Sequence, residues 1–212
     1  MKIKKYPQSH LLISGQNTKI IIDPGYITFE KGYKVEEFQG MDGYLITHQH
    51  ADHLGPETIK GIAERGKGKV YGNSDVVAKL KEVGVEAQIV YERQPFQVGE
   101  FEIMPVNLPH CKMQDGSDGP PNTGYLINGI LFLPGDGDKN PGITADNFAL
   151  PIAGPSITYD GALQFAQDIR AKLVIPIHYD SRFPADPDEF AKKASEVGIE
   201  VRILGHGEET TI

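Results

Sequence analysis

The sequence predicts an α/β fold, on three observations. Between residues 43 and 90, short apolar runs alternate with segments of helical spacing in the order strand, helix, strand, helix, strand, the pattern of α/β layering. The run Lys19-Ile20-Ile21-Ile22-Asp23 is continuously apolar rather than alternating, as expected of a strand covered on both faces. The 24 glycines and 15 prolines among 212 residues imply many tight turns between strands. The length and the 39% hydrophobic content suit one compact domain over residues 1–212, large enough for a substantial core.

In chain order, residues 2–6 and 9–14 read as a first strand pair. Residues 19–23 form a third strand that ends in the turn signal Asp23-Pro24-Gly25. His10, inside Ser9-His10-Leu11-Leu12-Ile13, reads as a packed core histidine. The aromatics Tyr26, Phe29, Tyr33 and Phe38 follow in a stretch of mixed charge, where they can wall a substrate or pack the segment onto the domain. Gly43 to Ile46 is a buried strand. Helical spacing runs from Glu57 to Glu64, and Gly66-Lys67-Gly68 breaks it. Val70-Tyr71 is a strand, and Asn73 or Ser74 caps a helix that Gly84 ends. Residues 86–90 make another strand.

The texture then turns to hairpins, at 96–98 with 100–106 and at 122–127 with 129–133, the latter turning at Asn128-Gly129. The loop 112–121 is acidic and glycine-rich, a lid or a rim. Residues 148–153 are a strand, 160–170 a helix capped by Ser156 or Thr158, and 172–177 a buried strand. A helix opened by Asp186-Pro187 runs to Val197, and residues 200–204 make a final strand.

Net charge is −8, which weighs against a nucleic-acid binder, whose affinity comes largely from Lys and Arg on phosphates. A single cysteine, Cys111, excludes an internal disulfide and fits a reducing compartment. No run approaches the roughly 18 apolar residues of a membrane span, and the basic start Met1 to Tyr6 lacks a following apolar signal core. The expected location is cytoplasmic, without a membrane partner. The pattern leaves the oligomeric state open.

Chemistry concentrates in Thr47-His48-Gln49-His50-Ala51-Asp52-His53, which holds three of the seven histidines. It lies between the strand at 43–46 and the helix start Leu54-Gly55-Pro56-Glu57, on a loop that a rigid scaffold can hold. Imidazole is the commonest metal ligand, and carboxylate joins it readily. In extended backbone His48 and His50 point to one side, while Asp52 and His53, beyond the turn, can face a second point. Four donors within six residues exceed what one tetrahedral ion accepts from so short a loop, which suggests two adjacent ions.

This stretch resembles the T-H-x-H-x-D-H signature of the metallo-β-lactamase-fold hydrolases. The resemblance implies a four-layer αββα sandwich, two mixed β-sheets flanked by helices, with two pseudo-equivalent halves. It also implies three further ligands in order. His110 follows a strand in Asn107-Leu108-Pro109-His110-Cys111, with Cys111 a bystander. Asp136, in Pro134-Gly135-Asp136-Gly137-Asp138, would bridge, with Asp138 its local competitor. His178 ends the strand at 172–177. Asp23 would support the site rather than ligate, and His206 would lie at the surface or behind the ligands. The Q-S near the start, the I-D-P turn, the G-D and the P-I-H-Y look most like the branch containing ascorbate-6-phosphate lactonase.

By the same resemblance, His48, His50 and His110 would hold one divalent ion. Asp52, His53 and His178 would hold the second, with Asp136 between them. Zinc suits the donors, and manganese or iron is compatible. Two cations about 3.5–4 Å apart activate a water as hydroxide, and Asp52 would orient that nucleophile against a small ester, lactone or phosphodiester. The alternatives are a nuclease or phosphodiesterase of the same fold, an iron redox member, and a metal-binding module without turnover. Diiron reductases of the family usually carry Glu at a motif histidine, and none is replaced here.

Overall fold

The computed structural model of the protein describes residues 1–63, 68–180 and 183–212. The chain first lays down β1 (Lys2–Lys5), β2 (Leu11–Ser14), β3 (Lys19–Ile22), α1 (Tyr26–Glu30), β4 (Gly43–Leu45), α2 (Pro56–Ala63), β5 (Lys69–Gly72), α3 (Ser74–Glu82) and β6 (Ala87–Ile89). It then forms β7 (Phe96–Val98), β8 (Phe101–Asn107), β9 (Thr123–Ile127), β10 (Leu131–Leu133), β11 (Asn147–Pro151), α4 (Tyr159–Ile169), β12 (Leu173–Ile177), α5 (Pro187–Glu196) and β13 (Glu200–Val201). A last strand, β14 (Glu209–Thr211), returns to the first group.

The strands make two seven-stranded sheets, in the orders β14-β1-β2-β3-β4-β5-β6 and β13-β12-β11-β10-β9-β8-β7. The pairings match one for one. From β14 to β3 and from β7 to β10 every pair is antiparallel. From β3 to β6 and from β10 to β13 every pair is parallel. This is the two-half arrangement that the resemblance implied.

Burial explains the layers. Ile3, Leu11, Ile13, Ile20, Ile22 and Leu45 of the first sheet meet Phe101, Ile103, Tyr125, Ile127, Ile175 and Ile177 of the second in a shared apolar layer. The outer face of the first sheet packs on α2 and α3 through Ile21, Tyr44, Ile59, Ile62, Val76 and Leu80. The outer face of the second packs on α4 and α5 through Phe132, Phe148, Phe165, Ile169 and Phe190. All five residues of β12 are buried, as its unbroken apolar run requires. Helix, sheet, sheet, helix is the resulting order.

Sequence signals place the helix boundaries well. Asn73 caps α3, accepting from the N–H groups of Asp75 and Val76. Thr158, not Ser156, caps α4. Asp186 caps α5, with Pro187 in its first turn. The expected end of the helix at Glu64, and the break at Gly66-Lys67, lie outside the described residues.

Three details differ from the sequence reading. The strand expected over 200–204 covers only Glu200–Val201, and β14 was not foreseen. Asn128 and Gly129 turn the β9–β10 hairpin, both at positive φ, but Leu131 pairs with Ile127, so Ile130 also belongs to the turn. The segment after Gly25 folds into α1 and a 3-10 turn over Val35–Phe38. There Phe29, Tyr33 and Phe38 pack with Tyr6 and His10 in an aromatic cluster, while Tyr26 stays exposed. Packing, rather than a substrate wall, accounts for all but Tyr26.

Among the described residues, no helix is long and apolar enough to cross a membrane.

Candidate metal centre

The site forms where strands of both sheets end. Asp23 follows β3, the 47–53 loop follows β4, and Asn73 follows β5. His110 follows β8, Asp136 follows β10, and His178 follows β12. Carboxyl ends of parallel strands are where open α/β sheets bind ligands. The structure brings the seven sequence-predicted residues together in two groups: His48, His50, His110 and Asp136, and then Asp52, His53 and His178. Within each group the ligand atoms all lie within 4.8 Å of one another. Asp138, the competitor of Asp136, belongs to neither.

Asp136 stands between the groups. Its Oδ1 is 3.1 Å from His53 Nε2. Its Oδ2 is 3.5 Å from His110 Nε2 and 3.3 Å from His178 Nε2. His178 Nε2 also lies 3.3 Å from Asp52 Oδ2. In the first group, His48 Nε2 and His50 Nδ1 are 3.0 Å apart.

The supporting bonds fix which ring nitrogen is free. His53 Nδ1 donates to Asp23 Oδ2 at 2.8 Å, His110 Nδ1 to the Cys111 carbonyl at 2.6 Å, and His178 Nδ1 to the Ala153 carbonyl at 2.8 Å. Thr47 Oγ1 donates to Asp23 Oδ2 at 2.7 Å, so it accepts from His48 Nδ1 at 3.0 Å. Each Nδ1–H is thereby used, and each Nε2 is turned inward, the orientation that metal-ligating histidines adopt. The Nε2 atoms of His53, His110 and His178 and Asp136 Oδ1 are buried and make no well-formed hydrogen bond, only charge-pair approaches of 3.1–3.5 Å between the imidazoles and the Asp136 carboxylate. Buried polar atoms in such numbers need an explanation, and a cation among them supplies one. The donor set fits a divalent metal.

Electrostatics agree. Burial disfavours charge on His53, but the Asp136, Asp52 and Asp23 carboxylates outweigh it and hold this imidazole well above its ordinary pKa. Burial likewise acts against His178, and Asp136 and Asp52 raise it nonetheless. Burial would lift Asp136, but His178 and His53 hold it well below the carboxylate range. Burial and the neighbouring imidazole of His53 push His48 well down, so its ring stays neutral. The carboxylates of Asp136, Asp52 and Asp23 thus favour positive charge at the centre of the site.

Asp23 lies behind the imidazole of His53: Oδ1 accepts from the Thr47 N–H and Oδ2 from His53 and Thr47. The Asp23-Pro24-Gly25 turn also sets the ligand loop's position. A Cβ on Gly25 would stand 1.9 Å from the Asp52 carbonyl oxygen. The loop 112–121 is a fastened rim: Asn73 Nδ2 donates to the Pro121 carbonyl, and a Cβ on Gly119 would meet the His110 ring at 2.5 Å. Cys111 is buried, with its thiol pushed up to about 12 by burial and then by Asp136, a bystander with no reactive thiolate. His206 is bonded to Asp180 at the surface. His50 and Asp52 are the partly exposed members, so the site opens on their side.

Sequence reasoning missed Gln8 and Asn122. Gln8 reaches Asp52 with its side chain. Asn122 donates to the Pro134 carbonyl and accepts from the Asp136 N–H. The Q-S that contains Gln8 gave no role for its side chain, and both residues act on partners distant in sequence, 44 positions away for Gln8 and 14 for Asn122.

Comparison with known proteins follows this geometry. A family profile described as a beta-lactamase superfamily domain matches residues 2–178. The chain belongs to that family. A UPF0173 metal-dependent hydrolase from Nanoarchaeum equitans is 30% identical over 99% of both chains. Among solved structures, Igni18, a metallo hydrolase from Ignicoccus hospitalis, superposes with a TM-score of 0.77 at 22% identity, covering 99% of this chain and 97% of its own. The metallo-beta-lactamase fold protein YhfI from Bacillus subtilis superposes with a TM-score of 0.70 at 16% identity, covering 99% and 98%. The layers described above are therefore those of the metallo-β-lactamase fold.

Proposed function

We propose that this superfamily member is a metal-dependent hydrolase working with two divalent cations on a small ester, lactone or phosphodiester. His48, His50 and His110 would hold one ion. Asp52, His53 and His178 would hold the other, with Asp136 between them. The observation that carries the reading is the set of buried Nε2 atoms that converge on Asp136 without well-formed hydrogen bonds. The name of the Nanoarchaeum relative, a metal-dependent hydrolase, supports the same class. Nitrogen and oxygen donors in this mixture suit zinc.

Two divalent cations held by these residues would supply a water ionisable near neutral pH and positive charge to offset the negative charge developing on the attacked carbonyl or phosphoryl oxygen. The chain's own residues do the rest. Asp136, held ionised by His178 and His53, offsets the repulsion between two positive centres. Asp52 stands on the open side with its carboxylate ionised, placed to orient the attacking water. Asp23, Thr47 and the Cys111 and Ala153 carbonyls keep the imidazoles in the ligating tautomer. A net charge of −8 favours a small substrate over nucleic acid.

The test is metal analysis of the purified protein, followed by a panel of lactones, esters and phosphodiesters. Two equivalents of transition metal are expected. His50→Ala and Asp136→Ala should each lower kcat/KM by about 10²-fold or more, as loss of a transition-state-stabilising charge does. Protein that takes up no transition metal, or variants with full activity, would sink the reading.

A further inference from the structure

We infer that Gln8 is a positioning residue for the second metal group, the one formed by Asp52, His53 and His178. The inference rests on the two-cation reading above and deepens it. Gln8 lies in the turn between β1 and β2, far from that group in sequence, yet it bonds two of its members and Asp180, just beyond one of them. Its Nε2 donates to Asp52 Oδ2 at 2.9 Å. Its carbonyl accepts from the His178 N–H at 3.1 Å. Its own N–H donates to Asp180 Oδ1 at 2.8 Å, two residues beyond His178. None of these contacts involves the first group.

Two further features show that the position is built. Gln8 is buried and held at φ 63°, a backbone region that costs a side chain energy unless the surroundings impose it. The surroundings do so through Asp180, which also accepts from the fully buried Lys5 at 3.1 Å and from His206. The pseudo-equivalence of the sheets points the same way. β1 and β8 occupy matching places in the two sheets. Gln8 stands three residues past the end of β1, as His110 stands three residues past the end of β8. The second half puts a proposed ligand at this strand end. The first half puts there the amide that orients one.

Asp52 needs that amide because it is the one partly exposed carboxylate of the cluster, and Gln8 is the side chain that donates to the Oδ2 facing His178. Fixing this oxygen settles which lone pairs face the ion. Without the donor, the carboxylate is free to rotate toward solvent, and the second ion loses a preoriented ligand.

The experiment is cobalt(II) titration of the metal-free protein, read by its visible absorption, for wild type, Gln8→Gly and Gln8→Met. Both variants keep the backbone bonds to His178 and Asp180 and lose only the side-chain amide. Glycine also accepts φ 63° without strain, so Gln8→Gly separates loss of the amide from loss of fold, and the melting temperature of the metal-free protein checks this. The expected result is an unchanged first cobalt equivalent and a second bound at least tenfold more weakly in both variants, with an altered second-step spectrum. A second equivalent bound as in wild type would overturn the inference alone. Equal weakening of both equivalents would also overturn it, since that marks a general disturbance. A wild-type protein that binds fewer than two equivalents would overturn the two-cation reading, and this inference with it.

Discussion

His10 illustrates what a single buried side chain does to the pH dependence of stability. Its ring stacks on Tyr6 at 4.7 Å and packs on Phe38, and Nδ1 bonds Thr28 Oγ1 at 3.0 Å. Burial pushes its pKa down from 6.5 to about 3. The folded protein therefore keeps His10 neutral where the unfolded chain would bind a proton. Its contribution is fully present above pH 6.5 and is lost as pH falls toward the folded value. From those two pKa values the loss at pH 5 is about 2 kcal/mol. Denaturant unfolding at pH 7 and pH 5 should show wild type losing about 2 kcal/mol more than His10→Leu; equal losses would refute the assignment. At this scale the sequence was legible where donors crowd together: the spacing of His48, His50, Asp52 and His53 announces a metal loop. His110, Asp136 and His178 needed the resemblance, since each is a lone residue at a strand end. Gln8 entered the sequence reading only as part of the Q-S of the resemblance; its contact with Asp52 was not legible, because a hydrogen bond across 44 positions leaves no local pattern.

Among the elements, the start of α3 carries the sharpest consequence. Asn73 uses one side-chain oxygen for the helix cap and its Nδ2 for the carbonyls of Thr47 and Pro121. One residue thus ties a helix, the ligand loop and the rim together. Asn73→Ala should cost about 2–3 kcal/mol, roughly 1 from the cap and the remainder from carbonyls left without a donor. Asn73→Ser should restore only the cap's share, about 1 kcal/mol. Urea unfolding of the three proteins measures this, and an Asn73→Ser protein as stable as wild type would count against the tie. Apolar strands and capped helices were readable because burial and capping write themselves into composition. The element α1 has no side-chain cap and no acidic first turn, and its aromatics suit a loop equally well. β14 is Glu-Thr-Thr, a polar edge strand defined by its partner β1 rather than by its own residues.

For the whole molecule, the candidate centre joins the sheets. The 47–53 loop comes from the first sheet, and His110, Asp136 and His178 come from the second. Cations held there would stabilise only the packed state. With free metal at about 30 times each Kd, two bound ions together would add about 4 kcal/mol to stability. Chelation should then lower Tm by about 8–16 °C for a chain of this size, and returning zinc should restore it. A melting curve indifferent to chelator, with metal removal verified, would contradict this. The layered order and the two pseudo-equivalent halves were readable from the resemblance, but the strand order within each sheet was not, since it is written in contacts rather than residues.

The return of β14 to the first sheet makes the two halves interdependent. Residues 209–211 complete an edge begun by residues 2–4, and the backbones of Met1 and Ile212 are hydrogen-bonded to each other. A cut in the connection between Ile89 and Phe96 therefore would not release two self-sufficient lobes. The leading fragment would lose its border strand and part of the ion cage, and the trailing fragment would carry a β-ribbon with nothing to dock on. Such pieces would regain order only by recombining, which makes this connection a natural place to divide the molecule for a complementation reporter.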